Sequence, residues 1–118
     1  MTDNVAGLLC YLAGLITGIL FLVIEPYNRN KFIRFHAFQS IFAHVAIIAV
    51  WIVVHIISGI IFAVMPWGVF SLLHVLFALV WLVVGLGFFA LWIFLMIKAY
   101  QGQKFMLPII GALADKQA

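Results

Sequence analysis

Residues 36–64 read HAFQSIFAHVAIIAVWIVVHIISGIIFAV and contain no Lys, Arg, Asp or Glu. An α-helix over this stretch would be about 43 Å long, whereas the hydrocarbon core of a bilayer is roughly 30 Å thick. Residues 69–97 form a second uncharged run of similar length, and Pro66 and Gly68 interrupt helical structure between the two runs. Each run is too short to cross a bilayer twice with a turn, so each predicts one transmembrane helix.

A third uncharged run covers residues 5–24, and about 20 residues are enough for one crossing. Asp3 and Asn4 can cap the first free N–H groups of a helix, and Pro26 disfavours helical geometry at Glu25. The run has neither the basic flank nor the cleavage site of a signal peptide. It therefore predicts an uncleaved third transmembrane helix.

The composition indicates that lipid is the solvent, because 69% of the 118 residues are hydrophobic and 8% are charged. So few charges cannot cover a soluble domain of this size. Residues 105–114 contain Pro108 and Gly111 and are too few to span, so they predict a segment at the interface or docked on the bundle. The predicted fold is a single all-α domain over residues 1–118, an integral membrane bundle of three transmembrane helices with a short interfacial C-terminal segment.

Basic residues occur in two segments only. Three follow the first run and three follow the third: Arg29, Lys31, Arg34, Lys98, Lys104 and Lys116. Short loops rich in Lys and Arg remain in the cytoplasm. With three crossings, this pattern predicts a multi-pass protein with its N-terminus outside and its C-terminus in the cytoplasm.

Three segments resemble the DUF4870 family of small bacterial membrane proteins, which is related to the Tic20-like proteins. They are residues 4–12 (NVAGLLCYL), 34–40 (RFHAFQS) and 104–111 (KFMLPIIG). The resemblance implies a location in the bacterial cytoplasmic (inner) membrane. The relation of that family to the Tic20-like proteins implies a channel or translocation component.

Glycines mark candidate sites of close helix packing. Gly7, Gly14 and Gly18 recur at helical spacing in the first run, and Gly85 and Gly87 lie together in the third. In lipid, small residues let two helix backbones approach closely. The glycines predict packing either against the protein's own helices or against a partner subunit.

One histidine lies at the start of the second run. His36 follows Arg34 closely, and Gln39 and Ser40 come one turn later. Polar side chains spaced three or four residues apart share a helix face. These four residues predict a hydrogen-bonded polar cluster at the membrane interface.

Three further histidines lie within the apolar runs, where imidazole requires a partner. His44 and His55 are about three turns apart, so they fall near one helix face. His55 and His74 are about equally far from Met65, which predicts that they lie opposite each other on neighbouring helices. They can form a hydrogen-bonded pair, or His44, His55 or His74 can be an axial ligand of haem or a chlorophyll-type pigment.

Catalytic chemistry finds little support in the sequence. Asp3, Glu25 and Asp115 are the only carboxylates, and all lie outside the apolar runs, so we predict no catalytic residues and no metal site. Cys10 is the only cysteine, and no motif indicates nucleic-acid binding. The leading hypothesis is a non-catalytic accessory or scaffold subunit, with bound lipids, beside a larger membrane complex or in a homo-oligomer. The alternatives are a pigment-binding subunit and the Tic20-like channel component.

Overall fold

The computed structural model describes residues 2–65 and 67–118 of the protein. All regular secondary structure in these residues is helical. Along the chain these elements are α1 (Asp3–Leu12), α2 (Leu15–Val23), α3 (Lys31–Val64), α4 (Trp67–Tyr100) and α5 (Ile110–Gln117). A 3₁₀ turn, Tyr27–Arg29, lies between α2 and α3. The predicted all-α class is therefore confirmed for this part of the chain.

Helices α3 and α4 are the long elements. Each has 34 residues, and the segments Lys31–Val64 and Ser71–Tyr100 are long and apolar enough to cross a membrane. Both helices extend beyond the predicted spans of residues 36–64 and 69–97, and the added helical turns include the charged residues Lys31, Arg34 and Lys98. Pro66, which was predicted to interrupt the chain between them, lies outside the described residues.

The prediction of one continuous helix over residues 5–24 is wrong, because the chain reverses direction between α1 and α2. Gly14 has φ 60° and ψ −115°, a conformation that essentially only glycine adopts. The hydroxyl of Thr17 donates to the carbonyl oxygen of Cys10 at 3.2 Å, although these residues would be about 10 Å apart along a straight helix. Helices α1 and α2 thus form an antiparallel helical hairpin, which apolar composition alone does not reveal.

Both ends of this helical hairpin lie near the start of α3. The amide of Asn30 donates to the carboxylate of Asp3 at 2.8 Å. The turn of the hairpin, at Gly14, contacts His44, which lies about 20 Å further along α3. The N-terminus and the loop before α3 are therefore at the same end of the molecule. In the described residues, two helices rather than the predicted three meet the length and hydropathy of a span.

The molecule divides into a bundle end and an arm. At the bundle end, the helical hairpin packs against the first part of α3 and the last part of α4, and α5 packs on α3. Beyond this bundle, residues 45–64 of α3 and 71–88 of α4 continue as a two-helix arm whose apolar side chains are mostly exposed. Residues 105–114, predicted to lie at the interface or to dock on the bundle, pack on it: Leu107 bonds to α3 and Ala114 is fully buried.

Candidate functional site

Three fully buried polar side chains, Tyr11, His36 and Gln39, form a hydrogen-bonded network at the bundle end. The hydroxyl of Tyr11 lies 2.7 Å from Nδ1 of His36 and 2.9 Å from Nε2 of Gln39. The rings of Tyr11 and His36 also meet edge to face, with centroids 5.4 Å apart. This Tyr-His-Gln network joins α1 to α3.

The same network holds the backbone of the segment that follows α4. Nε2 of His36 lies 3.1 Å from the carbonyl oxygen of Gln103. The amide of Gln39 donates to the carbonyl oxygen of Phe105 at 2.8 Å and accepts from the N–H of Leu107 at 3.0 Å. Side chains of α3 thereby satisfy backbone groups that have no helical partner.

These contacts determine where the protons lie. A carbonyl oxygen only accepts, so Nε2 of His36 carries the hydrogen that points to Gln103. In a neutral imidazole Nδ1 then accepts, and the hydroxyl of Tyr11 is its donor. The oxygen of Tyr11 accepts from Gln39, whose second N–H goes to Phe105. Each polar atom of the three side chains is paired, which is the condition for burying such a network at low cost.

The predicted polar cluster of Arg34, His36, Gln39 and Ser40 is divided among different partners. The guanidinium of Arg34 donates to backbone oxygens of Asn28 and Gln117 at 3.0 and 3.3 Å, away from the Tyr-His-Gln network. The predicted polar cluster did not include Tyr11. Its hydroxyl within an apolar run was the available signal, because a buried tyrosine usually needs a hydrogen-bond partner.

We expect Tyr11→Phe to lower the free energy of unfolding in detergent by about 1–2 kcal/mol, because Nδ1 of His36 loses its donor and Gln39 loses an acceptor. Tyr100→Phe is the matched control, since Tyr100 is 57% exposed and makes none of these contacts. Unfolding by denaturing detergent, followed by circular dichroism, measures both. Equal stability of the two variants would contradict the assigned role of the hydroxyl.

The turn of the helical hairpin has a second set of polar contacts. Where α1 stops, carbonyl oxygens lose their helical partners and must be satisfied within the protein if no water reaches them. Two side chains from two helices do this: Thr17 on α2 and Trp92 on α4 donate to the carbonyl oxygens of Cys10 and Tyr11, respectively. Ser40 on α3 also donates to the carbonyl oxygen of Gly14, which accepts the N–H of Gly18 as well. Such internal pairing is what non-helical backbone at membrane depth requires.

His44 lies directly against this turn. Its Nδ1 is 2.7 Å from the carbonyl oxygen of Ser40, and a Cβ built on Gly14 would come within 2.5 Å of its Nε2. The half-buried ring lines a cavity of about 360 Å³ between the hairpin turn, α3 and α4, together with Phe88 and Trp92. Of the histidines within the predicted spans, His44 is thus the one that lines this cavity.

The predicted contact between His55 and His74 is wrong. The ring of His55 stacks on Trp51 and lies 5.3 Å from Trp81, whereas His74 lies 5.3 Å from Phe62. Trp81 is two helical turns beyond His74, about 10 Å along α4. In the ring pairs His55–Trp81 and Phe62–His74, the two residues are equally far in sequence from residue 68 rather than from Met65. Helices α3 and α4 are therefore offset along their axes from the predicted alignment.

The predicted packing glycines fall into two groups. A Cβ on Gly7 would approach Phe32 at 2.9 Å, and one on Gly18 would meet Ile41 at 2.8 Å, so both allow α3 to come close. A Cβ on Gly14 would likewise approach the ring of His44 on α3, at 2.5 Å. A Cβ on Gly85 or Gly87 would meet no atom within 4 Å. The first group packs inside this chain, as one of the two interpretations predicted, and the second faces open space.

Charged groups are concentrated at the bundle end. Glu25 pairs with Arg29 at 3.0 Å and Asp115 with Lys104 at 3.8 Å, all of them partly or largely exposed. Within the described residues, no group of three or more His, Cys, Asp or Glu side chains could hold a metal ion. The arrangement is suited to holding helices together in lipid.

Comparisons with known proteins identify relatives over almost the full chain. A family model, MamF_MmsF, described as a magnetosome magnetite crystal formation protein family, matches residues 2–114. A UPF0132 membrane protein of Methanocaldococcus jannaschii is 40% identical over 98% of this chain and 88% of its own length. One from Archaeoglobus fulgidus is 35% identical over 99% of this chain and 96% of its own length. No solved structure matches significantly.

These matches correct the resemblance drawn from the sequence. The assignment to the DUF4870 and Tic20-like proteins is wrong, because the family model that matches is a different one. The expected bacterial origin of the relatives is wrong as well, because both proteins named above are archaeal. Their description as membrane proteins agrees with the two long apolar helices of this chain.

Proposed function

Because this chain belongs to the MamF_MmsF family, we propose that it is a non-catalytic membrane subunit whose two-helix arm packs beside the helices of other membrane proteins. The exposure of the arm carries this proposal. Apolar side chains are exposed along both helices, with Val64 at 78% and Leu72 at 64%. Lipid chains alone can cover such a surface, but the glycines of the arm favour protein partners.

The arm contains three helical glycines without an internal role. A Cβ on Gly59, Gly85 or Gly87 would meet no atom within 4 Å. Glycine inside a helix destabilises it by about 0.5–1 kcal/mol relative to alanine, so these positions weaken the arm unless another backbone approaches them. In the arm, α3 and α4 touch through large rings such as those of Phe62 and Phe77, which leaves grooves of about 360 and 320 Å³ between the helices.

The orientation follows from the charges. All six basic residues lie at the bundle end or in the segments attached to it, and the positive-inside rule favours a cytoplasmic position for that end. The helical hairpin then enters the membrane from the cytoplasmic side and returns, while α3 and α4 cross. We propose this topology, in the cytoplasmic membrane, in place of three crossings with an external N-terminus.

The family description connects relatives with magnetite crystal formation. If this chain acts in a related process, we propose that it contributes by assembly within the membrane rather than by binding iron. The exposed apolar side chains along both helices of the arm support a role in assembly.

A pair of matched variants tests the arm as a contact surface. We expect Gly85→Leu to reduce recovery of co-purifying membrane proteins, or of a second tagged copy of the chain, at least fivefold, because the new side chain keeps another backbone away. Val83→Leu places the same side chain nearby on α4 and should leave recovery unchanged. Leucine favours helix more than glycine does, so a loss would not reflect unfolding. Equal recovery with both variants would contradict the proposal.

The cofactor alternative stays a prediction. His44 lies beside a cavity, and His55 contacts two tryptophan rings. A visible absorption band in the protein purified from its native membrane, lost in His44→Phe or His55→Phe, would favour a haem or chlorophyll-type ligand over the proposed role.

A further inference from the structure

The cavity beside the hairpin turn combines a mainly apolar wall with a few polar groups. It measures about 360 Å³, within the range of small-molecule sites, and is lined mainly by apolar groups, including those of Phe88, Trp92 and Leu107. Of the polar side chains that line it, Tyr11 and Trp92 are engaged in hydrogen bonds within the protein, and His44 is the third. Small-molecule sites typically combine an apolar lining with a few polar groups that fix orientation.

The tautomer of His44 follows from its backbone contact. Nδ1 lies 2.7 Å from the carbonyl oxygen of Ser40, and a carbonyl only accepts, so Nδ1 carries the hydrogen. In the neutral ring Nε2 is then a hydrogen-bond acceptor. Within the described residues Nε2 has no donor, because the nearby hydroxyl of Ser40 and the indole N–H of Trp92 already donate to Gly14 and Tyr11.

Gly14 allows the hairpin turn to lie directly against this ring, and Gly14 and His44 both line the cavity. A Cβ at residue 14 would lie 2.5 Å from Nε2. An unsatisfied acceptor in an apolar environment is unfavourable, and a donor from a bound molecule would remove this penalty.

We propose that this cavity binds an apolar molecule with a hydroxyl group that donates a hydrogen bond to Nε2 of His44. A ketone or ester carbonyl would place a second acceptor against Nε2, and an ionic head group would be desolvated against an apolar wall. A hydroxyl on an aliphatic chain and the hydroxyl of a membrane-soluble quinol share the required chemistry. Either enters from the lipid.

Fluorescence of the purified chain in nanodiscs tests the site, because Trp92 lines it. The probe is 12-bromododecan-1-ol, whose bromine quenches tryptophan, and the control is its methyl ether, which lacks the donor. We expect saturable quenching with an apparent affinity about five- to tenfold higher for the alcohol, as one hydrogen bond provides. In His44→Phe the difference between alcohol and ether should vanish, and in Trp92→Phe the saturable quenching should be lost. Equal affinity of alcohol and ether for the native chain would overturn the proposal.

Nitrogen-15 NMR of the native chain supplies a readout that does not depend on folding of a variant. On addition of unbrominated dodecan-1-ol, the Nε2 resonance of His44 should shift, while those of His36 and His55 remain as internal references. A parallel titration with a short-chain benzoquinol compares the two kinds of hydroxyl donor. The compound that binds more tightly identifies whether the cavity prefers an aliphatic alcohol or a quinol. If neither compound moves the His44 resonance, the site does not bind hydroxyl donors.

Discussion

Gly14→Ile is expected to destabilise the protein by about 3 kcal/mol or more and to open the helical hairpin. The backbone at Gly14, with φ 60° and ψ −115°, is strained for any residue with a Cβ, at about 1–3 kcal/mol. The new side chain would also press on His44, whose Nε2 would be 2.5 Å from its Cβ, and overpacking adds about 1–3 kcal/mol. Detergent unfolding, and the rate of proteolysis within residues 10–20, measure the change.

Two controls separate the causes. Leu15→Ile adds a branched side chain one residue later, where α2 has begun, and should change stability by less than about 1.5 kcal/mol. The double variant Gly14→Ala with His44→Ala should recover the steric part of the Gly14→Ala penalty but not the backbone part. If Gly14→Ile were as stable as Leu15→Ile, the reversal of the chain at residue 14 would be contradicted.

Composition determines the long helices without help from tertiary contacts. Residues 36–64 carry no charge over more than the thickness of a hydrocarbon core, so a helix follows from the need to pair every backbone group. Residues 5–24 satisfy the same test but fold back. Their reversal depends on Thr17 and Trp92, which pair freed carbonyl groups, and on Ser40, which joins the turn at Gly14 to α3. Hydropathy does not record those contacts.

The candidate site was partly predictable for the same reason. His36 and Gln39 stood out as polar residues at the start of an apolar run, and both are buried in hydrogen bonds. Their partners, Tyr11 and the backbone of residues 103–107, lie far away in the sequence, where local spacing gives no guidance. The pairing of His55 with Trp81 shows the same limit, because the offset between α3 and α4 is set by how their side chains fit.

The second large effect concerns the side of the membrane on which the N-terminus lies. We expect Thr2→Cys and Gln101→Cys to react with a membrane-impermeant maleimide only after permeabilisation, and Gly68→Cys to react on intact cells. Cys10→Ala serves as the background, because Cys10 is fully buried and its removal leaves one reactive thiol in each variant.

The pairing of these positions decides between the two topologies. Asp3 bonds to Asn30, and Asn4 contacts Gly102 beyond the end of α4, so residues 2 and 101 must share a side if the helical hairpin returns to where it entered. With three crossings, residue 2 would instead share its side with residue 68. The difference is all or none, because a charged maleimide does not cross the bilayer. Labelling of Thr2→Cys together with Gly68→Cys on intact cells would refute the hairpin topology, whereas labelling together with Gln101→Cys supports it whichever face the basic residues occupy.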